Sequence, residues 1–238
     1  MTTTLLKLED LTCGYHEIIV VRNVSLEVRG QEIVALIGAN GSGKSTILKR
    51  IAGLIPPRRG QVWFLGKEIS SLPPHEISQM GLVLVPEGGK LFISLSVKEN
   101  LEMGAYVKRA NANMKENLAL VFNLFPILES RISQTAGKLS GGERTMLAIA
   151  RGLMASPKLL ALDEPSLGLA PMVTDIVFNG LAQISKTGLS LLLSEQNVHK
   201  ALSISNRGYV LELGEVKLTD DSLRLLGNEL VRKAYLGL

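Results

Sequence analysis

The chain's 238 residues amount, at about 150 residues per domain, to one large domain or one domain carrying an insert, and a chain of this length closes an ordinary core without disulfides or structural metal. Hydrophobic residues make up 46% and charged residues 20%, which excludes intrinsic disorder, while the longest apolar runs, Ile33 to Ala39 and Leu189 to Leu193, fall far short of the roughly 18 residues of a membrane span. The 26 basic and 22 acidic residues leave a net charge of +4, but Lys and Arg are scattered and aromatic residues are only 4%, so the basicity reads as a solvated face and not as a nucleic-acid surface.

No secretory signal is visible over Met1 to Leu11, so residence in the cytosol is the expectation. The single cysteine, Cys13, has no internal partner, and His16, His75 and His199 lack metal-ligand spacing. In chain order, Leu5 to Leu11 and Ile18 to Val28 read as strands, Gly30 punctuates, and Glu32 to Ile37 is a β-branched apolar strand of the kind buried on both faces. A glycine-rich turn leads into a helix over Lys44 to Ala52, closed by Pro56, Pro57 and Gly60, and Gln61 to Leu65 and Gly81 to Val85 are further strands. From Val97 to Ser130 the β signals fade, and Leu118, Val121, Phe122 and Phe125 form one helical stripe. A helical insert is therefore expected at about residues 90–137. Met146, Ile149, Ala150 and Leu153 form a second stripe, stopped by Pro157. Leu159 to Leu162 and Ser190 to Leu193 read as buried strands, ending in Asp163-Glu164 and in Ser194-Glu195-Gln196. Tyr209 to Leu213 is the last strand, and Leu223, Leu226 and Leu230 mark a final amphipathic helix.

Three segments carry chemistry. Gly38-Ala39-Asn40-Gly41-Ser42-Gly43-Lys44-Ser45 matches G-x-x-x-x-G-K-[ST] between a buried strand and a helix, which is where the mechanism requires it. The glycines let successive N–H groups turn in around a phosphate, and the helix N-terminus adds its positive dipole end. Lys44 then reaches the β- and γ-phosphates of a nucleoside triphosphate, and the Ser45 hydroxyl can ligate Mg²⁺. The strand Leu159 to Leu162 delivers Asp163 to the sheet's carboxyl edge as a second Mg²⁺ ligand, with Glu164 next in line to orient or deprotonate a water attacking the γ-phosphate. Leu139-Ser140-Gly141-Gly142-Glu143 opens a helix with a good N-cap and two glycines, either a plain capped helix or a second phosphate cradle.

With these segments the chain resembles the ATP-binding subunits of ABC transporters over essentially its whole length. The resemblance implies an α/β fold: a P-loop ATPase core with an N-terminal antiparallel β region and a helical subdomain insert, forming one domain over residues 1–238. In that family Gly38 to Thr46 is the phosphate loop, Leu139 to Glu143 the signature motif, and Leu162 to Pro165 the metal and catalytic carboxylate segment. Ser140, Gly141 and Gly142 would then contact the γ-phosphate held by a second ATPase subunit, identical or not. Tyr15 falls where the family stacks a ring on adenine. The chain departs from the pattern at Glu87, in the glutamine-loop position, where a carboxylate could ligate Mg²⁺. It departs again at Gln196, in the switch-histidine position, and at Ala170, where many members have aspartate. His199, three residues past Gln196, is expected to face away from the strand end.

Val85-Pro86-Glu87-Gly88, Ser166 to Pro171, Glu195-Gln196-Asn197 and the ending Val231 to Gly237 look most like an ATPase subunit of branched-chain amino-acid importers. That implies ATP and Mg²⁺ as ligands, two separate membrane permease subunits, a substrate-binding protein acting indirectly, and a peripheral place on the cytoplasmic face of the inner membrane. ATPases of urea or amide importers and of lipopolysaccharide exporters remain as alternatives. Soluble nucleic-acid-linked ATPases are remote, since their tandem or coiled-coil arms are absent.

Overall fold

Two runs with alternating apolar residues, β1 (Thr4–Tyr15) and β2 (Ile18–Arg29), pair antiparallel and are joined by a tight turn at His16-Glu17. The pairing carries β1 past the Leu11 boundary that its composition suggested, through several register shifts, because Cys13, Gly14 and Tyr15 find partners at Val21, Ile19 and Ile18. The computed structural model describes residues 3–233; Ala234, Tyr235, Leu236 and Gly237 of the carboxyl-terminal motif lie outside the described residues. The elements that follow are β3 (Ile33–Ile37), α1 (Lys44–Ile51), β4 (Arg59–Phe64), β5 (Lys67–Glu68), α2 (Pro74–Met80) and β6 (Leu82–Val85). Helices then fill the middle of the chain: α3 (Val97–Gly104), α4 (Lys108–Ala112), α5 (Met114–Leu124), α6 (Pro126–Ser130), a 3₁₀ turn at Ala136–Lys138 and α7 (Gly141–Met154). The chain returns to α/β alternation with β7 (Leu159–Asp163), α8 (Pro171–Lys186), β8 (Ser190–Glu195), α9 (Val198–Ile204), β9 (Arg207–Glu212), β10 (Glu215–Asp221), α10 (Ser222–Gly227) and α11 (Glu229–Val231).

The strands form two sheets. One is antiparallel, in the order β2-β1-β4-β5; the other has the order β10-β9-β3-β8-β7-β6 and is parallel except for β10 at its edge. The central strands are buried on both faces, so their side chains alternate between two cores. Ile33, Ala35 and Ile37 of β3, with Leu160 and Leu162 of β7, face a core shared with α3, α5, α7, α8 and α9. Val34, Leu36, Leu159 and Ala161 face the other, shared with α1 and the antiparallel sheet. Each such leucine or isoleucine contributes about 1.5–3 kcal/mol by its burial. The helix α1, which follows the glycine-rich loop, is thus clamped between two sheets, and the carboxyl ends of β3, β7 and β8 converge at one edge, as a crossover topology requires for a site at that edge.

Two expected stripes end differently. The helix α5 stops at Leu124, because Phe125 precedes Pro126 and is driven out of helical conformation (φ −133°, ψ 73°). Phe125 is still fully buried, packed against Gly180 of α8. At the carboxyl end a single helix with Leu223, Leu226 and Leu230 inward is not what forms. Asn228 breaks it into α10 and α11 by accepting bonds from the Leu230 and Val231 amides, which turns Leu225 and Val231 inward and leaves Leu223 and Leu230 exposed.

Candidate active site

Between Ile37 and Lys44 the backbone folds over the end of β3. Gly43 caps α1 with a φ of 106°, a conformation that a side chain would strain. The loop is tied down from outside: the Gly214 amide donates to Ser42 O at 3.1 Å and the Ser42 amide to Ala39 O at 3.2 Å. Lys44, only 3% exposed, folds its ammonium back over the loop, donating to Gly38 O (2.8 Å) and Ala39 O (3.1 Å) and pairing with Glu164 Oε1 (3.1 Å). The sequence-expected base and the sequence-expected phosphate lysine are therefore in direct contact.

The turn after β7 is tied to the end of β8. Asp163 Oδ1 accepts from Ser45 Oγ and from Ser194 Oγ, both at 2.7 Å. Asp163 Oδ2 is buried with no hydrogen-bonding partner. An orphaned carboxylate oxygen beside a hydroxyl is the donor set of a hard cation, so Asp163 and Ser45 fit Mg²⁺. Ser42 Oγ is likewise buried and unpartnered in the loop. Glu164 adopts a left-handed backbone (φ 45°), and its amide donates to Ser194 O (3.0 Å) and Ser194 Oγ (3.2 Å). Two residues on, Ser166 donates its amide and its hydroxyl to Glu195, each at 2.9 Å. Burial pushes the Glu195 carboxyl above the usual range, and Glu164 nearby adds to this, against the opposing bonds from Ser166 and the Asn197 amide.

Two adjoining clefts result. One, of about 260 Å³, is lined by Asn40, Gly41, Gly43, Lys44, Ser45, Thr46, Glu87 and Glu164; the second, of about 390 Å³, by Glu164, Ser166, Gly168, Glu195, Gln196 and His199 among others. Glu164 belongs to both. The structure thus places Glu87 and Gln196, two of the three departures, in the two clefts that Glu164 lines. His199 is a correction: it lines the Gln196 cleft, because Asn197 caps α9 and leaves residue 199 in the first turn, over the strand end.

Ser140, Gly141 and Gly142 line neither cleft. Ser140 is exposed and its hydroxyl accepts from the Glu143 amide at 3.3 Å in a capping box, while Gly141 opens on solvent. Gly142 is a glycine for another reason than phosphate access: a Cβ there would stand 2.3 Å from Val173 Cγ1 of α8. Tyr15 ends β1, 41% exposed. Its hairpin also supplies Val20, which lines the phosphate-loop cleft. Ser194 and Glu195 went unassigned in the sequence, where they read only as a strand end; no local spacing links them to residues 163–166.

Known proteins resemble this chain along most of its length. The family model for the ABC transporter matches residues 21–167. The chain is 42% identical over 98% of its length, and 100% of the relative's, to the high-affinity branched-chain amino acid transport ATP-binding protein BraG of Pseudomonas aeruginosa. It is 32% identical, over 98% of both chains, to the lipopolysaccharide export system ATP-binding protein LptB of Haemophilus influenzae. Among solved structures, a nucleotide-free ATP-binding cassette from an ABC transporter superposes with a TM-score of 0.83 at 26% identity, covering 99% of this chain and 100% of that one. An ABC cassette in its ADP conformation gives 0.82 at 26%, with full coverage of both chains. The chain belongs to the ABC transporter family as an ATP-hydrolysing subunit.

Proposed function

We propose that the protein powers the import of branched-chain, hydrophobic amino acids, working as a dimer of ATPase subunits docked on two separate permease subunits at the cytoplasmic face of the inner membrane. One observation carries the substrate: identity to the amino-acid transport protein BraG is 42% end to end, against 32% for the lipopolysaccharide export protein LptB. The LivF protein of Archaeoglobus fulgidus, a probable branched-chain amino acid transport ATP-binding protein, follows the first at 37%. Among the described residues no helix is long and apolar enough to cross a membrane, so translocation needs other chains. An apolar groove of about 500 Å³ between α3, α7 and β6, lined by Val83, Val85, Phe92, Met103, Tyr106 and Arg151, offers them a docking face. The short run from Val85 to Lys90 passes from this groove to Glu87 in the phosphate-loop cleft, a direct route between partner and nucleotide.

In this reading residues 1–238 form one ATPase domain with a helical insert at about 90–137. The loop Gly38 to Thr46 holds the phosphates of ATP, with Tyr15 against the base. Lys44 exchanges its carbonyl contacts for phosphate oxygens, and Glu164, released from Lys44, takes the proton of the attacking water. Asp163 and Ser45, with Glu87 at the rim, would hold Mg²⁺, which would neutralise phosphate charge. Gln196 presents a neutral amide to the phosphate. Ser140, Gly141 and Gly142 face away from this chain's own cleft and complete the site of the second subunit.

The test is transport by the complex purified with its membrane partners and reconstituted in vesicles. ATP-dependent accumulation of labelled leucine, isoleucine or valine is expected. Uptake of urea or short amides in their place, or extraction of lipopolysaccharide, contradicts the assignment and selects the alternative.

A further inference from the structure

We propose that Glu195 is a positioning residue for ATP hydrolysis: through both carboxylate oxygens it grips Ser166 and so fixes the turn bearing Glu164 against the strand end bearing Gln196. The proposal rests on the reading of Glu164 as general base.

Glu195 is 2% exposed, yet no cation lies among its hydrogen-bonding partners; the Ser166 amide and hydroxyl, each at 2.9 Å, take one oxygen apiece. Burying a carboxylate without a counter-ion is costly, and a neutral residue would pack there at less cost. What the carboxylate supplies is a pair of charge-assisted bonds, roughly twice as strong as neutral ones, between segments 29 residues apart in the chain. They act where order is needed. Glu164 sits in a left-handed conformation, of a kind that costs about 1–3 kcal/mol and persists only where the surroundings over-determine it. Its own amide is held by Ser194, and Ser166 is the next point at which the turn is held. From Ser166 the chain runs on to Leu167, which lines the same two clefts as Glu164, so slack at Ser166 reaches the glutamate. Glu195 itself lines only the cleft of Gln196. Its loss should therefore touch the chemical step and spare nucleotide binding.

The experiment is steady-state hydrolysis of MgATP by the full chain, resolving kcat from KM, for Glu195→Ala, Glu195→Gln, Ser166→Ala and the Glu195→Ala/Ser166→Ala pair, with amide exchange at Ser166 followed alongside. Glu195→Ala is expected to lower kcat about tenfold or more, the scale of a slight misplacement of a reacting group, with KM within about twofold, and to unprotect the Ser166 amide. Glu195→Gln keeps an acceptor for that amide and can donate to the hydroxyl, so it should recover kcat to within about threefold and restore protection. Ser166→Ala, which cuts one arm in a half-exposed loop and leaves the core intact, should cost less than Glu195→Ala, and the double variant no more than Glu195→Ala alone. Unchanged kcat in both Glu195→Ala and Ser166→Ala overturns the proposal. So does Glu195→Gln as slow as Glu195→Ala with the Ser166 amide protected again, since turnover would then be lost although the turn is held. Glu164→Gln, run in parallel, separates the two readings: unimpaired turnover there sinks the general-base assignment and this proposal with it, whereas failure of the Glu195 series beside an inactive Glu164→Gln sinks the proposal alone.

Discussion

Lys44 directs its ammonium donors at Gly38 O, Ala39 O and Glu164, in a position 3% exposed, so removing it takes a cation from the phosphate loop and leaves Glu164 without its partner. Lys44→Ala is expected to weaken ATP binding at least tenfold and to abolish turnover, measured by nucleotide titration and phosphate release. Binding at unaltered affinity would show that the lysine does not meet the phosphates. Glu195 carries a stability prediction of the opposite kind. Its carboxyl lies above the usual range because burial disfavours the charged form, so the folded state binds that proton more tightly than the unfolded chain does. Such a group favours folding below the unfolded carboxylate pKa of about 4.3, and that contribution is lost as pH rises through the raised folded value. Above that raised value the buried carboxylate is a burden on folding, and Glu195→Gln should raise the melting temperature there. The gain should shrink toward pH 4, where the unsubstituted carboxyl protonates. A gain that grows toward low pH contradicts the assignment. Cys13 belongs to the same scale: burial pushes its thiol up to about 11, which keeps it protonated and unreactive near neutrality.

At the scale of elements, the start of α7 combines two constraints that separate variants can resolve. Ser140 and Glu143 satisfy each other's backbone amides, so Ser140→Ala should cost about 1 kcal/mol of stability as a lost N-cap. Ser140→Asp keeps the cap, and its added charge should suppress turnover of the dimer while leaving the melting temperature near that of the unsubstituted chain. Gly142→Ala pushes a methyl to 2.3 Å from Val173 and should destabilise by about 1–3 kcal/mol, as overpacking does, with partial recovery in the Gly142→Ala/Val173→Ala pair. Additive losses would place the strain elsewhere. These contacts also show what local sequence could reveal. The glycine-rich turn before α1, the strand ending in Asp163-Glu164 and the capped helix at Ser140 were legible as elements because each depends on residues within one turn or one strand. The partner of Gly142 was not, since Val173 is 31 positions on and on another helix. The same holds for the clamp of residues 163–166 by Ser194 and Glu195, which depends on β7 and β8 lying side by side. His199 was misjudged because the helix start at Val198 sets its direction, and that start follows from the Asn197 cap and not from any hydrophobic period. The carboxyl-terminal leucines were misjudged for a related reason: an asparagine cap at position 228 reset the phase of the stripe.

On the scale of the whole molecule, the two cores lock the phosphate loop between sheets while the apolar groove at α3 and α7 stays open, with Tyr106 84% and Met103 46% exposed. If permease chains dock there, Met103→Glu should abolish their co-purification and leave the melting temperature of the isolated chain within a degree or two. Intact co-purification would move the docking face elsewhere. Every other function assigned to the chain depends on one claim, that nucleotide is held by residues 38–46 and consumed through Glu164. Glu164→Gln preserves the shape of the side chain and a contact to Lys44 but cannot accept a proton. The most direct measurement compares ATP binding, oligomeric state and phosphate release for this variant and the unsubstituted chain. The account predicts ATP bound at least as tightly, a dimer that persists on gel filtration, and hydrolysis slower by about a hundredfold or more, the usual share of a general base. Hydrolysis at the unsubstituted rate would contradict it.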